Sequence, residues 1–347
     1  MNLKNLYKSI NDRLDDINFT QIVKGFNRCS FAIFNDEKAV IDGKTISKPS
    51  QFVANSVADY NGPLVATYYH EFLPNNLDKA TALIVHEMYH AFQFGKMDYK
   101  MLLMNNSEKN GMFYDYSIDT ITLKYNEVMC LIDAYSNKSG EDYRRFLSVR
   151  KVRQDNYPKA LLYENATELI EGTATYVEMK ALEQLDEDLF MQEVEQTVYS
   201  LGNIESYFSI RELSYKVGAL MLLTLDELKI DFDNVIDGES FISDSYKYDY
   251  LEPEIRSRVE IKDKVKKKSM ENKAAIDQFF SKDYCKIDFD KVIGYNPMGI
   301  IRSEDKLLVK FLVIIEVDGE EHTLNGEFCL IFDENIECIE LYKLKDV

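Results

Sequence analysis

Three residues in the run Ile84-Val85-His86-Glu87-Met88-Tyr89-His90-Ala91-Phe92-Gln93 could do metal chemistry. His86 and His90 are four residues apart, so on a helix both rings leave the same face, with Cβ atoms about 5–6 Å from one another. Two imidazole nitrogens at that spacing can converge on one ion, at Zn–N distances of about 2.0–2.1 Å. Glu87 is rotated around the helix from both rings, which aims its carboxylate at a water molecule rather than at the ion. Zinc lowers the pKa of water to about 7, and a carboxylate so placed can take the proton. The bland alternative is an amphipathic core helix built on Leu83, Ile84, Val85, Met88 and Phe92. Against it, the chain has only four histidines, and two fall in this pentad. His70 and His322 have no partner motif and read as structural.

A catalytic zinc usually takes three protein ligands and keeps one position open. No His-x-x-Gly-x-x-His extension follows His90, so the third ligand must come from another segment. A helix predicted from Pro158 to about Leu185 carries Glu164, Glu168, Glu171 and Glu178. With Thr175 they recur three and four residues apart and line one face. The other positions include Leu161, Leu162, Leu169, Ile170, Ala174, Tyr176 and Val177, so the helix is predicted to be buried. Buried carboxylates need a cation or hydrogen bonds, and a zinc site supplies the cation.

The surrounding pattern supplies the elements that position these residues. Residues 1–18 read as a polar helix. Phe31–Phe34 and Ala39–Ile41 read as strands, the second closed by the turn signal Asp42-Gly43. A further strand is expected between Pro63 and Phe72, and Pro74-Asn75-Asn76 ends it before the histidine helix begins near Leu77. Residues 99–116 read as a loop. Helices are expected at about 117–137, 140–155, 188–200 and 210–228. A charged surface helix is expected at 252–282, with Pro253 in its first turn. Its basic run Lys262–Lys268 reads as a solvated face. From about Lys306 the pattern turns to strands, at 307–317, 327–332 and 336–344, with a turn at Asp318-Gly319.

Bulk properties exclude several functions. The chain of 347 residues has a formal charge of −19, which repels phosphate backbones and anionic lipid. Neither nucleic acid nor membrane is expected as a partner. Five cysteines, an odd number and none in Cys-x-x-Cys spacing, fit reduced thiols. The first fifteen residues lack the apolar core of a signal peptide, and no run approaches the ~18 apolar residues of a membrane span. The expectation is a cytoplasmic protein.

Together the motifs resemble the gluzincin metallopeptidases, in particular the catalytic domain of the aminopeptidase N family. Glu171-Gly172-Thr173-Ala174-Thr175-Tyr176-Val177-Glu178 matches that family's Glu-Gly-x-Ala-Thr-Tyr-x-Glu segment. The resemblance implies that Glu171 is the third zinc ligand and that Thr175 supports it. It also implies that Gly172 lets two helices approach closely, despite costing about 0.5–1 kcal/mol inside a helix. Tyr215-Lys216-Val217-Gly218 matches the family's Tyr-x-x-Gly segment, which implies that the Tyr215 hydroxyl stabilises the tetrahedral intermediate. The resemblance covers roughly residues 60–95 and 160–225.

The implied fold is α+β: a gluzincin core of a small mixed sheet plus a helical subdomain over residues 1–284. A C-terminal antiparallel β meander over 285–347 packs on it. The implied function is a zinc metallopeptidase acting on peptide substrates, with Glu87 as general base. A zinc-containing binding protein without turnover, or a zinc hydrolase of a non-peptide bond, are the alternatives. Two features depart from the family. About 80 residues separate His90 from Glu171, far more than usual. The exopeptidase loop Gly-x-Met-Glu-Asn is also absent, its place taken by residues 60–69, where only the edge strand is retained. Glu178 lies two turns beyond Glu171, about 10 Å along the axis, too far to hold a substrate amine. Glu168 is one turn away and could either reach an amine or satisfy a buried donor. Cleavage within short peptides is therefore preferred over release of single N-terminal residues.

Overall fold

The computed structural model describes residues 2–96, 111, 114–236, 238, 240–296 and 298–345. The loop expected at 99–116 lies mostly outside them. Packing divides the chain into two units, the first formed by Met1–Ser107 with Lys124–Glu254 and the second by Glu108–Leu123 with Ile255–Val347. The observed division differs from the expected boundary at residue 284.

In the first unit the histidine helix runs Leu77–Lys96. Asn76 starts it: the side chain accepts the Lys79 N–H at 3.0 Å, satisfying one of the donors that a helix start leaves free. The helix lies on a five-stranded sheet of β1 (Phe31–Phe34), β2 (Lys38–Ile41), β3 (Lys44–Ser47), β4 (Ser56–Asp59) and β5 (Leu64–Tyr69). The strand order is β3-β2-β1-β5-β4. β1 and β5 are parallel and the other pairs antiparallel, so the sheet is mixed. Asp42 and Gly43 both take positive φ, 47° and 72°, as a two-residue type I′ hairpin requires.

The strand expected to form the edge is an inner one. β5 pairs with β1 on one side and β4 on the other, and Val65 to Tyr68 are buried. The edge on this side is β4, whose short run Ser-Val-Ala-Asp gives little strand signal.

The ligand helix starts at Pro158 and ends at Leu185, but it is not one regular α-helix. Pro158–Thr167 and Thr173–Leu185 are α-helical, and Glu168–Gly172 between them is a π-turn. A π-turn adds a residue to one turn, which rotates the downstream part of the helix by about 100° relative to a regular one. Thr173 contributes to its pattern, donating its hydroxyl to the Leu169 carbonyl at 2.6 Å. The helix Ile210–Glu227 crosses the π-turn at Gly218.

In the second unit the helix Val259–Phe280 starts later than expected. In the first unit, residues 246–251 lie against the helix Gly140–Asn156, with Tyr248 donating to the Leu147 carbonyl and Leu251 N–H to Ser148 Oγ. The helix Val259–Phe280 belongs with the C-terminal strands because Ile276 and Phe279 bury themselves against Leu308 and Cys329. The strands are β6 (Tyr284–Ile287), β7 (Lys291–Tyr295), β8 (Ile301–Ser303), β9 (Lys306–Val317), β10 (Glu320–Phe332) and β11 (Cys338–Leu344). All pairs are antiparallel, in the order β6-β11-β10-β9-β7 with β8 also on β9. β8, β9, β10 and β11 follow one another as a meander, and β6 and β7 pair outside that order. Asp318 and Gly319, at φ 54° and 80°, make the same hairpin turn as Asp42-Gly43.

A Cβ at Gly172 would stand 2.7 Å from Gly218 Cα, and one at Gly218 would stand 2.8 Å from the Glu168 carbonyl oxygen. Backbone cannot yield as a flexible side chain does, so Gly172→Ala or Gly218→Ala should destabilise the fold by ~1–3 kcal/mol. Gly202→Ala, at a helical glycine with nothing within 4 Å of the added methyl, should be neutral or slightly stabilising. Thermal melting of the three variants checks this, and equal melting temperatures would contradict the close contact.

Candidate metal centre

The histidine helix and the π-turn bring three ligand atoms together. The Nε2 atoms of His86 and His90 are 3.2 Å apart. Glu171 Oε2 lies 3.7 Å from the first and 3.3 Å from the second. Tetrahedral ligands 2.0–2.1 Å from a common centre stand about 3.3 Å from one another, so the triangle has the size of a tetrahedral face. Two imidazoles and a carboxylate also suit zinc chemically. Among the described residues no other group of three His, Cys, Asp or Glu side chains converges in this way. His70 and His322 take no part.

Each ligand is fixed by a partner behind it. His86 Nδ1 lies 3.0 Å from Glu178 Oε2, and His90 Nδ1 lies 2.8 Å from Gln93 Oε1. Both partners are acceptors, so each Nδ1 carries a hydrogen and Nε2 is the ring nitrogen that faces the centre. Gln93 also donates from Nε2 to Thr173 Oγ1 at 2.7 Å and to the Ile170 carbonyl at 3.0 Å. It thus ties the histidine helix to the turn that carries Glu171. Arg211 Nη2 donates to Glu171 Oε1 at 2.9 Å, leaving Oε2 for the centre. Thr175 donates to the Glu171 backbone carbonyl at 2.8 Å.

The electrostatics follow from burial and these pairings. Burial favours the neutral ring of His86, but the Glu171 and Glu178 carboxylates outweigh it and hold its pKa well above the usual value. Burial pushes Glu171 up, and His86 and His90 outweigh that, holding it well below the usual carboxylate range. Glu87 is raised, by burial first and then by Glu171 and Glu178, against the opposing histidines. The Arg211 guanidinium lies over the Tyr215 ring, 5.7 Å from its centre. Burial and then Glu171 raise its pKa, so its hydroxyl remains a donor. Tyr68 of β5 is raised by burial and by the nearby charges of Glu87 and Glu178.

The acidic stripe does not meet one centre. Glu171 and Glu178 face the histidines, whereas Glu164 and Glu168 pair with Arg153 and Arg150. The π-turn is the reason, since it breaks the regular spacing on which a single stripe depends. Glu178 does not touch the triangle and serves it through His86. Three contributors are not evident from sequence: Gln93, Arg211 and the supporting role of Glu178. Gln93 is three residues after His90, and Arg211 is four before Tyr215. Each therefore shares a helix face with a motif residue, which is the signal that could have found them.

Gln93→Leu should keep the fold and weaken zinc binding by ~10–100-fold, the usual effect of losing a group that orients a metal-ligating histidine. Competition with a chelator of known affinity measures it. Parental affinity in this variant would mean that Gln93 only fills space.

No protein-family model, curated protein or solved structure matches the chain, so the functional reading rests on the residues and distances of the site itself.

Proposed function

We propose that the chain is a zinc-dependent peptidase with a gluzincin-type core, cutting within short peptides. The observation that carries this is the triangle of His86 Nε2, His90 Nε2 and Glu171 Oε2, with edges of 3.2–3.7 Å, beside the buried carboxylate of Glu87. His86, His90 and Glu171 would hold the ion. Zinc held there supplies Lewis-acid polarisation and acidifies water.

The chain's own residues supply the rest. Glu87 takes a proton from the attacking water as the new C–O bond forms. It returns that proton to the amine nitrogen as the C–N bond breaks. Its raised pKa brings it closer to neutral pH, where a base that must also act as an acid works best. Tyr215 donates its hydroxyl to the carbonyl oxygen as negative charge develops. Arg211 donates to Glu171 and lies over the ring of Tyr215, which keeps the two side chains side by side.

The fate of the other carboxylates supports cleavage within peptides. An aminopeptidase needs a carboxylate to hold the substrate ammonium. Glu168 is bound to Arg150, Glu164 to Arg153 and Glu178 to His86. A cytoplasmic setting is part of the same proposal: all five cysteines are free, and among the described residues no helix is long and apolar enough to cross a membrane.

Glu87→Gln should bind zinc as the parent does and lose at least ~10²-fold in turnover, the scale of one acid–base group. If it cuts a peptide as fast as the parent, the mechanism fails. Tyr215→Phe should lower kcat by ~10²–10³-fold with KM little changed; a change in KM alone would assign Tyr215 to packing. Peptides with free and acetylated N-termini should both be cut. Cleavage of the free form only, releasing single residues, would make the protein an aminopeptidase.

A further inference from the structure

Behind the π-turn, six buried ionisable side chains meet. Lys124 and Glu127 come from the helix Ile118–Asn137, Arg150 and Arg153 from Gly140–Asn156, and Glu164 and Glu168 from the ligand helix. None has a side chain more than 4% exposed. Lys124 Nζ lies 3.1 Å from Glu127 and 2.6 Å from Glu164. Arg150 donates to Glu127 at 2.8 Å, and to Glu168 and Asn165 from its other amino group. Arg153 donates to Glu127 at 2.5 Å and to Glu164 at 2.9 Å. Three positive and three negative groups leave no net charge.

Such a cluster is a poor way to gain stability. Desolvating the ions costs about what their attraction returns, and apolar side chains of the same volume often do as well or better. What it supplies is direction. An apolar contact lets a helix slide or rotate by a fraction of a turn, whereas a forked guanidinium bond to a carboxylate fixes position and orientation together. Glu168 is the first residue of the π-turn and Glu171 the fourth. A bond that fixes Glu168 therefore sets where the turn begins and which way Glu171 leaves it.

We propose that the Arg150–Glu168 bond positions Glu171, so that the two helices between the histidine motif and the ligand helix act as a brace for the metal centre. This brace rests on the zinc reading of the triangle. Neither residue touches the triangle, so both are positioning residues rather than ligands.

The test compares the full-length parent, Arg150→Met and Arg150→Met/Glu168→Met, by thermal melting and by zinc binding in competition with a chelator. Arg150→Met leaves the buried Glu168 carboxylate with only Lys124, at 3.6 Å, and should lower the melting temperature by ~10 °C. The double variant removes one charge of each sign, leaves Glu127 with Lys124 and Arg153, and should recover most of that loss. Its zinc affinity should nevertheless be ~10–100-fold weaker than the parent's, because the turn has lost its anchor. Recovered melting with weakened zinc binding separates positioning from simple stability. A double variant that melts like the parent and binds zinc as tightly overturns the proposal. One that melts as low as the single variant also overturns it, by showing that the pair holds the fold rather than the turn. A parent that takes up no zinc overturns the metal reading itself, and this inference with it.

Discussion

The five residues Glu168–Gly172 are gripped from four directions, and Glu171, which meets the two histidines, lies within that grip. Arg150 holds Glu168, and Gln93 holds the carbonyl of Ile170. Arg211 holds the outer oxygen of Glu171, and Gly218 lies flush against Gly172. The four come from three different helices, so the turn is where they meet. A π-turn is a rare form of backbone that appears often at functional sites. Here its extra residue turns Glu171 toward the histidines while Glu164 and Glu168 remain on the buried cations. A regular helix could not give both faces what they bind.

The same economy governs the charges around the centre. Glu178 and Gln93 each accept from an Nδ1–H, and this fixes both histidine tautomers without placing a further donor in the triangle. Arg211 occupies one oxygen of Glu171 and leaves the other facing inward. Glu87 has no such fastening in the triangle, and burial raises its pKa, the condition expected of a group that must gain and lose a proton.

Sequence exposes the parts of this arrangement that are local. The His86–His90 spacing, the stop at Asn76 and the Asp-Gly hairpins each depend on a few adjacent residues, and each has its expected conformation. Glu171 stands out through a segment match, and its Oε2 is the oxygen that completes the triangle. The π-turn leaves no periodic signal, because reading a stripe of carboxylates presumes 3.6 residues per turn throughout. That presumption puts Glu164 and Glu168 on the same face as Glu171. Their true partners are hidden for a second reason: Lys124, Arg150 and Arg153 look, in sequence, like the solvated charges of ordinary surface helices. Only the packing of three helices shows that they are buried. The misplaced edge strand has a similar origin, since β4 is four residues long and pairs through contacts that no local pattern encodes.

The central claim is that one ion sits between the two histidine Nε2 atoms and Glu171 Oε2. An anomalous difference map at the zinc edge, from crystals grown with one equivalent of zinc, tests it most directly. The expected result is a single strong peak about 2.0–2.2 Å from His86 Nε2, His90 Nε2 and Glu171 Oε2. A map with no peak there, or with zinc bound instead through other side chains while this triangle stays intact, would contradict it.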